Sequence, residues 1–274
     1  MNKNKRFYSP SLFLGLLLAA LPAQPARADG PISPPARSGS ALLNWSGFYF
    51  GGNAGGIWGD YGFGDSGVDV TVPRPLGGTA VVTVDVPAFN ANSGADFIGG
   101  VQAGYNRQFG SFVLGVEGDA DGISLGASKS FTLHSDMLDV NGLSAQREAS
   151  TNWMLTGRAR LGYAWNRILF YGTGGIALTA IDVKASDFYS ATAPGTQSSS
   201  DGNIVVGWTG GGGIEFAVSD AVSIGAEYRH SDFGGQDYDL NGQARFTIHS
   251  TRVDLMEDQV TLRVNIRVDS LFHR

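Results

Sequence analysis

Cysteine is absent from the 274 residues of this sequence. Disulfide bonds, thiolate chemistry and lipid attachment through a cysteine are therefore excluded. Long apolar runs are absent too, because the apolar stretch at residues 12–20 is much shorter than the ~18 residues that a membrane-spanning helix requires. A helical membrane protein is thus excluded as well.

Positive charge is scarce, and the chain carries a formal net charge of −6. Residues 1–28 contain four of the 19 basic residues and no acidic residue, so the remaining 246 residues carry a net charge of −10. Beyond residue 28 the only lysines are Lys129 and Lys184. Because nucleic-acid binding depends on clusters of lysine and arginine, we expect no nucleic-acid partner.

The first 28 residues have the order of a secretory signal peptide. Three positive charges at residues 3–6 precede the apolar run, and Ala26–Ala28 forms an A-x-A cleavage site. We therefore expect export of the chain and removal of residues 1–28. Residues 29–44 contain three prolines and are predicted to form an extended periplasmic lead-in.

From residue 45 onward, apolar and polar residues alternate in segments of about ten, which is the pattern of β-strands with two different faces. In VTLRVNIRV, for example, Val260 and Leu262 share one face while Thr261 and Arg263 share the other. All ten prolines lie outside these segments, as expected where every backbone N–H donates to a neighbouring strand. The predicted strands are 45–58, 95–107, 111–121, 152–165, 168–181, 203–217, 221–232 and 258–268.

The connections between these segments alternate between short turns and long loops. This alternation predicts an all-β fold, an eight-stranded antiparallel up-and-down transmembrane β-barrel with both chain ends at the short-turn side. Two of the long loops contain strand–turn–strand patterns, VDVTVPRPLGGTAVVTVDV and DYDLNGQARFTIH, the second around Asn241-Gly242. We therefore predict strands that continue beyond the membrane as hairpins. The barrel is predicted over residues 45–268, with a short tail at 269–274.

The apolar face of the predicted strands is expected to contact lipid. Its aromatic residues are predicted to form a girdle at each membrane interface. In the stretch WSGFYFGGNAGGIWG (45–59), we expect the aromatics to face lipid and the glycines to let a small, curved sheet close. The predicted girdle residues are Trp45, Trp58, Tyr105, Trp153, Tyr163, Trp165 and Trp208.

The opposite face carries charges of both signs. An eight-stranded barrel has an interior just wide enough for side chains, so these charges must pair to offset their desolvation. We predict a lumen closed by Arg–carboxylate pairs, and the alternative is a narrow porin-like conduit for small solutes or ions. The predicted network consists of Glu117, Asp119, Arg158, Arg160, Glu215, Glu227, Arg229, Arg263 and Arg267.

Signals for chemistry are weak. His230-Ser231-Asp232 and His249-Ser250 are the candidates for lipid-modifying hydrolysis, a second alternative, but neighbours on a strand point to opposite faces. The four histidines lack metal-ligand spacing, and the glycine runs open no helix after a parallel strand. We expect no catalytic residue, cofactor or metal centre. Frequent loop aspartates leave open a divalent-cation bridge to lipopolysaccharide phosphates.

Several stretches resemble the alphaproteobacterial outer-membrane immunogenic-protein family, whose small barrels are related to opacity-type and OmpA-like surface proteins. The resemblance covers all eight segments and fails in the loops. It is carried by WSGFYFGGNAGGIWG, FIGGVQAGYNRQFGSFVLGVEGD, NWMLTGRARLGYAWNRILFYGTGGIA, GWTGGGGIEFAV and VSIGAEYRH, in that order.

This resemblance implies a non-enzymatic barrel in the outer membrane that acts as a surface antigen and contributes to envelope integrity. It also implies contact with outer-membrane lipid and lipopolysaccharide, and assembly by the barrel-assembly machinery. Members of the family usually end their last strand on an aromatic residue, whereas this chain continues past VTLRVNIRV to DSLFHR. That terminal aromatic residue is the signal by which the barrel-assembly machinery recognises its substrates, so this chain departs from the family at this signal.

Overall fold

The computed structural model describes residues 43–74, 76–135, 140–189, 195–240, 246–248 and 250–268. Among these residues no helix is long and apolar enough to cross a membrane. The described strands are β1 (Gly47–Phe63), β2 (Ser66–Pro73), β3 (Thr79–Val86), β4 (Phe89–Phe109), β5 (Phe112–Ser135), β6 (Val140–Trp165), β7 (Ile168–Tyr189), β8 (Gly195–Ala217), β9 (Val222–Tyr238), β10 (Phe246–Ile248) and β11 (Thr251–Arg267).

Eight strands close into an antiparallel barrel in the order β1-β11-β9-β8-β7-β6-β5-β4. The first and last strands pair across the closure, where Asn53 lies opposite Arg263. Each predicted strand lies on one strand of the barrel, so the predicted fold is confirmed. The strands are longer than predicted: β6, for example, begins at Val140 rather than at residue 152.

Three short turns lie at one end of the barrel, as the pattern of connections predicts. They fall between β4 and β5, between β6 and β7, and between β8 and β9. Gly110 in the first turn has φ 63° and Asn166 in the second has φ 55°. Glycine and asparagine are the residues that adopt this left-handed conformation most readily, so the turn sequences suit tight reversals.

The outside of the barrel carries a continuous apolar belt. Side chains of the belt are exposed, whereas the residues between them point inward and are buried. The belt on β6 extends from Leu155 to Trp165, which are eleven residues, close to the ~9–11 that a tilted strand needs to cross the hydrocarbon core. So large an apolar surface around a closed barrel is favourable in lipid and unfavourable in water. The belt therefore marks the membrane-spanning part.

The glycine-rich stretch at residues 45–59 divides between the two faces. Phe48 and Phe50 are exposed on the belt, but Tyr49 and Ile57 are buried inside the barrel. The expectation that the aromatic side chains of this stretch face lipid is therefore wrong for Tyr49. The period of two sends every second residue inward, and this applies to aromatics as well.

Close approach of two strands explains why Gly55 is a glycine. A Cβ atom at this inward position would overlap the carbonyl oxygen of Val260 on β11. A Cβ atom on the neighbouring Gly56, which faces the other side, would have the carbonyl oxygen of Asp96 at 3.9 Å as its nearest neighbour. Only the first of these two glycines is thus required by packing.

Beyond the belt, the barrel divides into two sheets. Pairing between β4 and β5 reaches outward only to Ile98 and Ile123, and pairing between β8 and β9 only to Trp208 and Asp232. One sheet then consists of the outer parts of β5 to β8, and the other of β9, β11, β1 and β4. The Tyr61 hydroxyl group joins them, because it lies 3.2 Å from the Thr151 hydroxyl group.

An apolar core, the outer core, fills the space between these two sheets. Inside it, Arg147 and Asp187 form a buried ion pair of 2.7 Å. Burial raises the pKa of Asp187 above its ordinary value, although the hydrogen bond from Arg147 acts in the opposite direction. The outer core consists mainly of Ile57, Tyr61, Phe63, Ile98, Leu125, Met154, Ile181, Val183, Val205, Phe233, Tyr238, Leu240, Val253 and Leu255.

A separate three-stranded sheet has the order β10-β2-β3. The hairpin predicted from VDVTVPRPLGGTAVVTVDV is present as β2 and β3. The second predicted hairpin is wrong in its pairing, because β10 pairs with β2, where Phe246 lies opposite Val70, and not with the strand that precedes it. The edge of β2 thus supplies the backbone partners, and the turn around Asn241-Gly242 lies outside the described residues.

Replacing Gly55 by alanine should destabilise the barrel, whereas replacing Gly56 should have little effect. The Gly55→Ala methyl group must displace a backbone carbonyl of β11, and overpacking of this kind costs about 1–3 kcal/mol. Urea unfolding of the two variants, refolded in the same detergent, measures the difference in free energy. Equal stability of the two variants would show that the strands do not approach as closely as described.

Candidate functional site

The lumen of the membrane-spanning part is the candidate site. The predicted charged residues come from β5, β6, β8, β9 and β11, at positions where the strand alternation points side chains inward. All nine are buried. Since strands of one barrel bring inward side chains from every side to one narrow axis, residues far apart in sequence meet there.

Arg158 is the centre of the network. Its guanidinium group lies 2.5 Å from Glu117 and 2.7 Å from Asp119, both on the neighbouring β5. The same group reaches across the lumen to Glu227 on β9, again at 2.7 Å. One arginine therefore joins three carboxylates from two sides of the barrel.

Two further arginines extend these contacts. Arg263 on β11 lies 2.6 Å from Glu117 and is also paired with Glu227. Arg160 pairs with Glu215, which in turn accepts hydrogen bonds from Ser223 and Asn265. Because each carboxylate contacts an arginine as well as other donors, the desolvation of these charges is offset by charge-assisted hydrogen bonds.

The pattern of charged residues misses three members of the network. Asp121 lies 2.9 Å from Arg229, and the hydroxyl groups of Tyr49 and Tyr171 donate to Glu117 at 2.6 Å and to Glu227 at 2.9 Å. Asp121 has the same parity as Glu117 and Asp119, so the period of two could have included it. The sequence pattern does not identify the two tyrosines as lumen residues, because aromatic residues at a strand end are expected to face lipid.

Arg267 lies apart from the centre of the network. It sits at the short-turn end, where it donates to the backbone carbonyls of Asn44 at 2.9 Å and Ser219 at 3.2 Å. Its guanidinium carbon is 5.2 Å from the centre of the Trp45 ring. Arg267 thus secures the residues next to the short turns, at the inner end of the lumen.

Trp45 does not belong to an aromatic girdle. Only 2% of its surface is exposed, because it packs inside the short-turn end with Val113, Leu169 and Tyr171. The prediction for Trp45 is wrong, since this residue precedes β1 and enters the barrel instead of following its outer face. We call this apolar group the inner plug; it consists of Trp45, Val113, Ala164, Leu169, Tyr171 and Ala217.

The other predicted girdle residues lie on the outward side of their strands. Trp165 and Tyr163 lie near the short-turn end of β6, and Trp153 lies toward the outer end of the same strand. Trp208 is next to the outer limit of β8–β9 pairing, where its ring is 5.4 Å from that of His230. Trp58 and Trp153 are half-buried, and the exposed members are Tyr105, Tyr163, Trp165 and Trp208.

The lumen thus has three layers along its axis. The inner plug lies at the short-turn end, the ion-pair network occupies the middle, and the outer core lies beyond it. Buried arginines and carboxylates that hold each other in this way have little freedom to bind a substrate. The arrangement can brace the barrel wall, because each arginine joins two or more strands.

His230 and Ser231, two of the candidate hydrolytic residues, do not form a Ser–His pair. His230 faces outward and contacts Asp258 at 2.8 Å, whereas Ser231 faces inward and donates to Thr209 at 3.0 Å. His249 lies outside the described residues, and Ser250 is exposed. Within the described part of the chain, no group of three or more histidine or acidic side chains is placed to hold a metal ion.

The sequence matches a known protein family over most of its length. The model of the outer membrane protein beta-barrel domain matches residues 11–251. The 31 kDa outer-membrane immunogenic protein of Brucella melitensis is 32% identical over 254 residues, which cover 89% of this chain and 98% of that protein. The 22 kDa outer membrane protein of Rhizobium leguminosarum is also 32% identical, over 78% of this chain and 72% of that protein.

Two solved structures are similar at low identity. Neisserial surface protein A is 13% identical, with a TM-score of 0.30 over 81% of this chain and 97% of that protein. The outer membrane protease OmpT of Escherichia coli is 10% identical, with a TM-score of 0.40 over 81% of this chain and 96% of that protein.

Removing Arg158 should destabilise the barrel far more than removing Arg167. The Arg158→Ala variant leaves three carboxylates with one cation fewer, and breaking a buried ion pair typically costs about 3–5 kcal/mol. The Arg167→Ala variant loses an exposed contact of 3.9 Å with Asp220, and such surface pairs contribute about 0–1 kcal/mol. It also loses hydrogen bonds to the carbonyl oxygens of Ala217 and Val218, for which water can substitute at this exposed turn. Urea unfolding in detergent compares the two, and similar losses would argue against a central role for Arg158.

Proposed function

Because this chain belongs to the family of outer membrane protein β-barrel domains, we propose that it is a structural surface protein rather than a channel or an enzyme. The protein is an integral β-barrel of the outer membrane. The finer proposal is that it braces the envelope with a closed barrel and presents its outer part as a surface antigen.

The contacts of Arg158 are the observation that carries the closed lumen. This one side chain contacts Glu117 and Asp119 on one side and Glu227 on the other, at distances of 2.5 to 2.7 Å. A hydrated ion would have to separate these groups in order to pass. The inner plug and the outer core support the proposal, because they fill the lumen with apolar side chains on both sides of the network.

The outer part of the barrel supports the surface role. Strands β5 to β8 extend well beyond the belt. The β10-β2-β3 sheet is formed by the segments that connect β1 to β4 and β9 to β11. The Brucella relatives are named outer-membrane immunogenic proteins. We propose that the outer part of this chain is likewise accessible to antibodies.

Lipid and lipopolysaccharide are the proposed partners of the belt. Trp208 at the outer limit and Trp165 at the short-turn limit suit the two membrane interfaces, where amphipathic rings are favoured. We further propose that the barrel-assembly machinery inserts the chain. Residues 269–274, which carry the departure from the family's terminal aromatic, lie outside the described residues.

Planar-bilayer recording tests the closed lumen directly. The purified full chain should show no steady single-channel steps, because ion pairs and apolar side chains fill the path. The Glu227→Gln variant is the probe and Asp220→Asn, at an exposed turn, is its matched control. Large reproducible steps from the unaltered protein, with an ion selectivity that changes in Glu227→Gln and not in Asp220→Asn, would favour the porin-like conduit instead.

A further inference from the structure

Glu257 is a buried carboxylate at the junction between the ion-pair network and the outer core. It points inward from β11, and only 1% of its surface is exposed. Neither of its carboxylate oxygens accepts a well-formed hydrogen bond. The Ser231 hydroxyl group, opposite in the ladder, lies near this carboxylate but donates to Thr209. A charged group buried in this way is strongly destabilising unless a proton neutralises it or a positive charge compensates it.

The arginine on the neighbouring strand is committed elsewhere. Arg229 of β9 lies opposite Gln259, two residues from Glu257. Its Nη2 is 2.9 Å from Asp121, and its Nη1 is 3.4 Å from Asp119. These contacts direct the guanidinium ends of Arg229 toward β5, so Arg229 acts on Glu257 through its charge but makes no ion pair with it.

Charges in the lumen do not balance. Within the described residues, the membrane-spanning part buries six carboxylates and five guanidinium groups, which leaves one negative charge in excess. Glu257 is the carboxylate without an ion pair there, so the excess is located on it. The carboxylates are Glu117, Asp119, Asp121, Glu215, Glu227 and Glu257, and the arginines are Arg158, Arg160, Arg229, Arg263 and Arg267.

A second oxygen without a donor lies beside Glu257. Gln259 is two residues along β11, so both side chains emerge from the same face of the strand. Its Oε1 is buried and has no hydrogen-bond partner. Acceptors that lack donors, one of them carrying the uncompensated charge, form an environment for a hard cation with oxygen ligands.

The surroundings of Glu257 limit the access of bulk water. Gly59 lies opposite Glu257 on β1, and a Cβ atom on this glycine would be 2.9 Å from the Leu125 side chain and 3.4 Å from that of Leu255. Apolar packing of the outer core thus begins directly at Glu257. One excess carboxylate is neutralised by one monovalent cation. A divalent cation would instead leave the lumen with one positive charge in excess.

We propose that the outer end of the lumen binds one monovalent metal cation, Na⁺ or K⁺, through the Glu257 carboxylate and the Gln259 amide oxygen. The ion completes the charge balance of the lumen and joins the ion-pair network to the outer core. This site is independent of whether the lumen conducts, because it concerns the stability of the folded barrel.

Unfolding in different salts tests the site. The full chain, folded in a zwitterionic detergent, is unfolded with urea in NaCl, KCl or choline chloride at the same ionic strength and pH. Na⁺ or K⁺ should stabilise the protein relative to choline, and the effect should saturate. At a cation concentration ten times the dissociation constant, the folded-to-unfolded ratio should rise about tenfold.

Two variants and a control decide the assignment. Glu257→Gln removes the charge and should abolish the difference between NaCl and choline chloride. Gln259→Leu keeps the charge and should shift the saturation to higher cation concentration, which provides a test if Glu257→Gln does not fold. Asp220→Asn, at an exposed turn, should respond like the unaltered protein.

Two results would overturn the proposal. One is an equal stability of the unaltered protein in all three salts at every pH. The other is a stability that changes with pH through Glu257 and is indifferent to the cation, which would show that a proton occupies this position. A cation effect that persists unchanged in both Glu257→Gln and Gln259→Leu would place the ion elsewhere and would also refute the site.

Discussion

The structure depends on a constraint imposed by hydrocarbon on the outside of a narrow ring. Charged side chains cannot face the acyl chains, and an eight-stranded barrel leaves no room inside for water to solvate them fully. The charges that the membrane-spanning strands direct inward must therefore be compensated within the lumen, most of them by other side chains. The contacts of Arg158 with three carboxylates satisfy this requirement at the centre of the barrel.

The three layers of the lumen differ in what they contribute. The inner plug and the outer core are stabilised by apolar packing, whereas the middle layer is stabilised by ion pairs between strands. Beyond the belt, lipid no longer requires a closed ring, and the strands separate into two sheets that pack through the outer core. The outer part thus resembles a water-soluble sandwich placed on a membrane barrel, which suits a surface that meets the medium.

The period of two in the sequence predicts the eight strands, the belt and most of the lumen network. Arg263 and Val264, for example, are assigned to opposite faces by alternation alone, and the barrel places them so. Strand length is not predictable in this way, because the outer part of β6 is paired but lacks a lipid-facing run. The position of Trp45 is not predicted for another reason, since this residue precedes β1 at the short-turn end, where alternation no longer decides direction.

Tryptophan quenching by lipid tests most directly whether hydrocarbon contacts the outside of the barrel. Single-tryptophan variants that retain Trp45, Trp165 or Trp208 would be refolded into bilayers of ordinary or acyl-brominated lipid. The account predicts strong quenching of Trp165 and Trp208, which are more than half exposed on the belt, and weak quenching of Trp45, which is buried in the lumen. Equal quenching of all three, or none for Trp165 and Trp208, would contradict it.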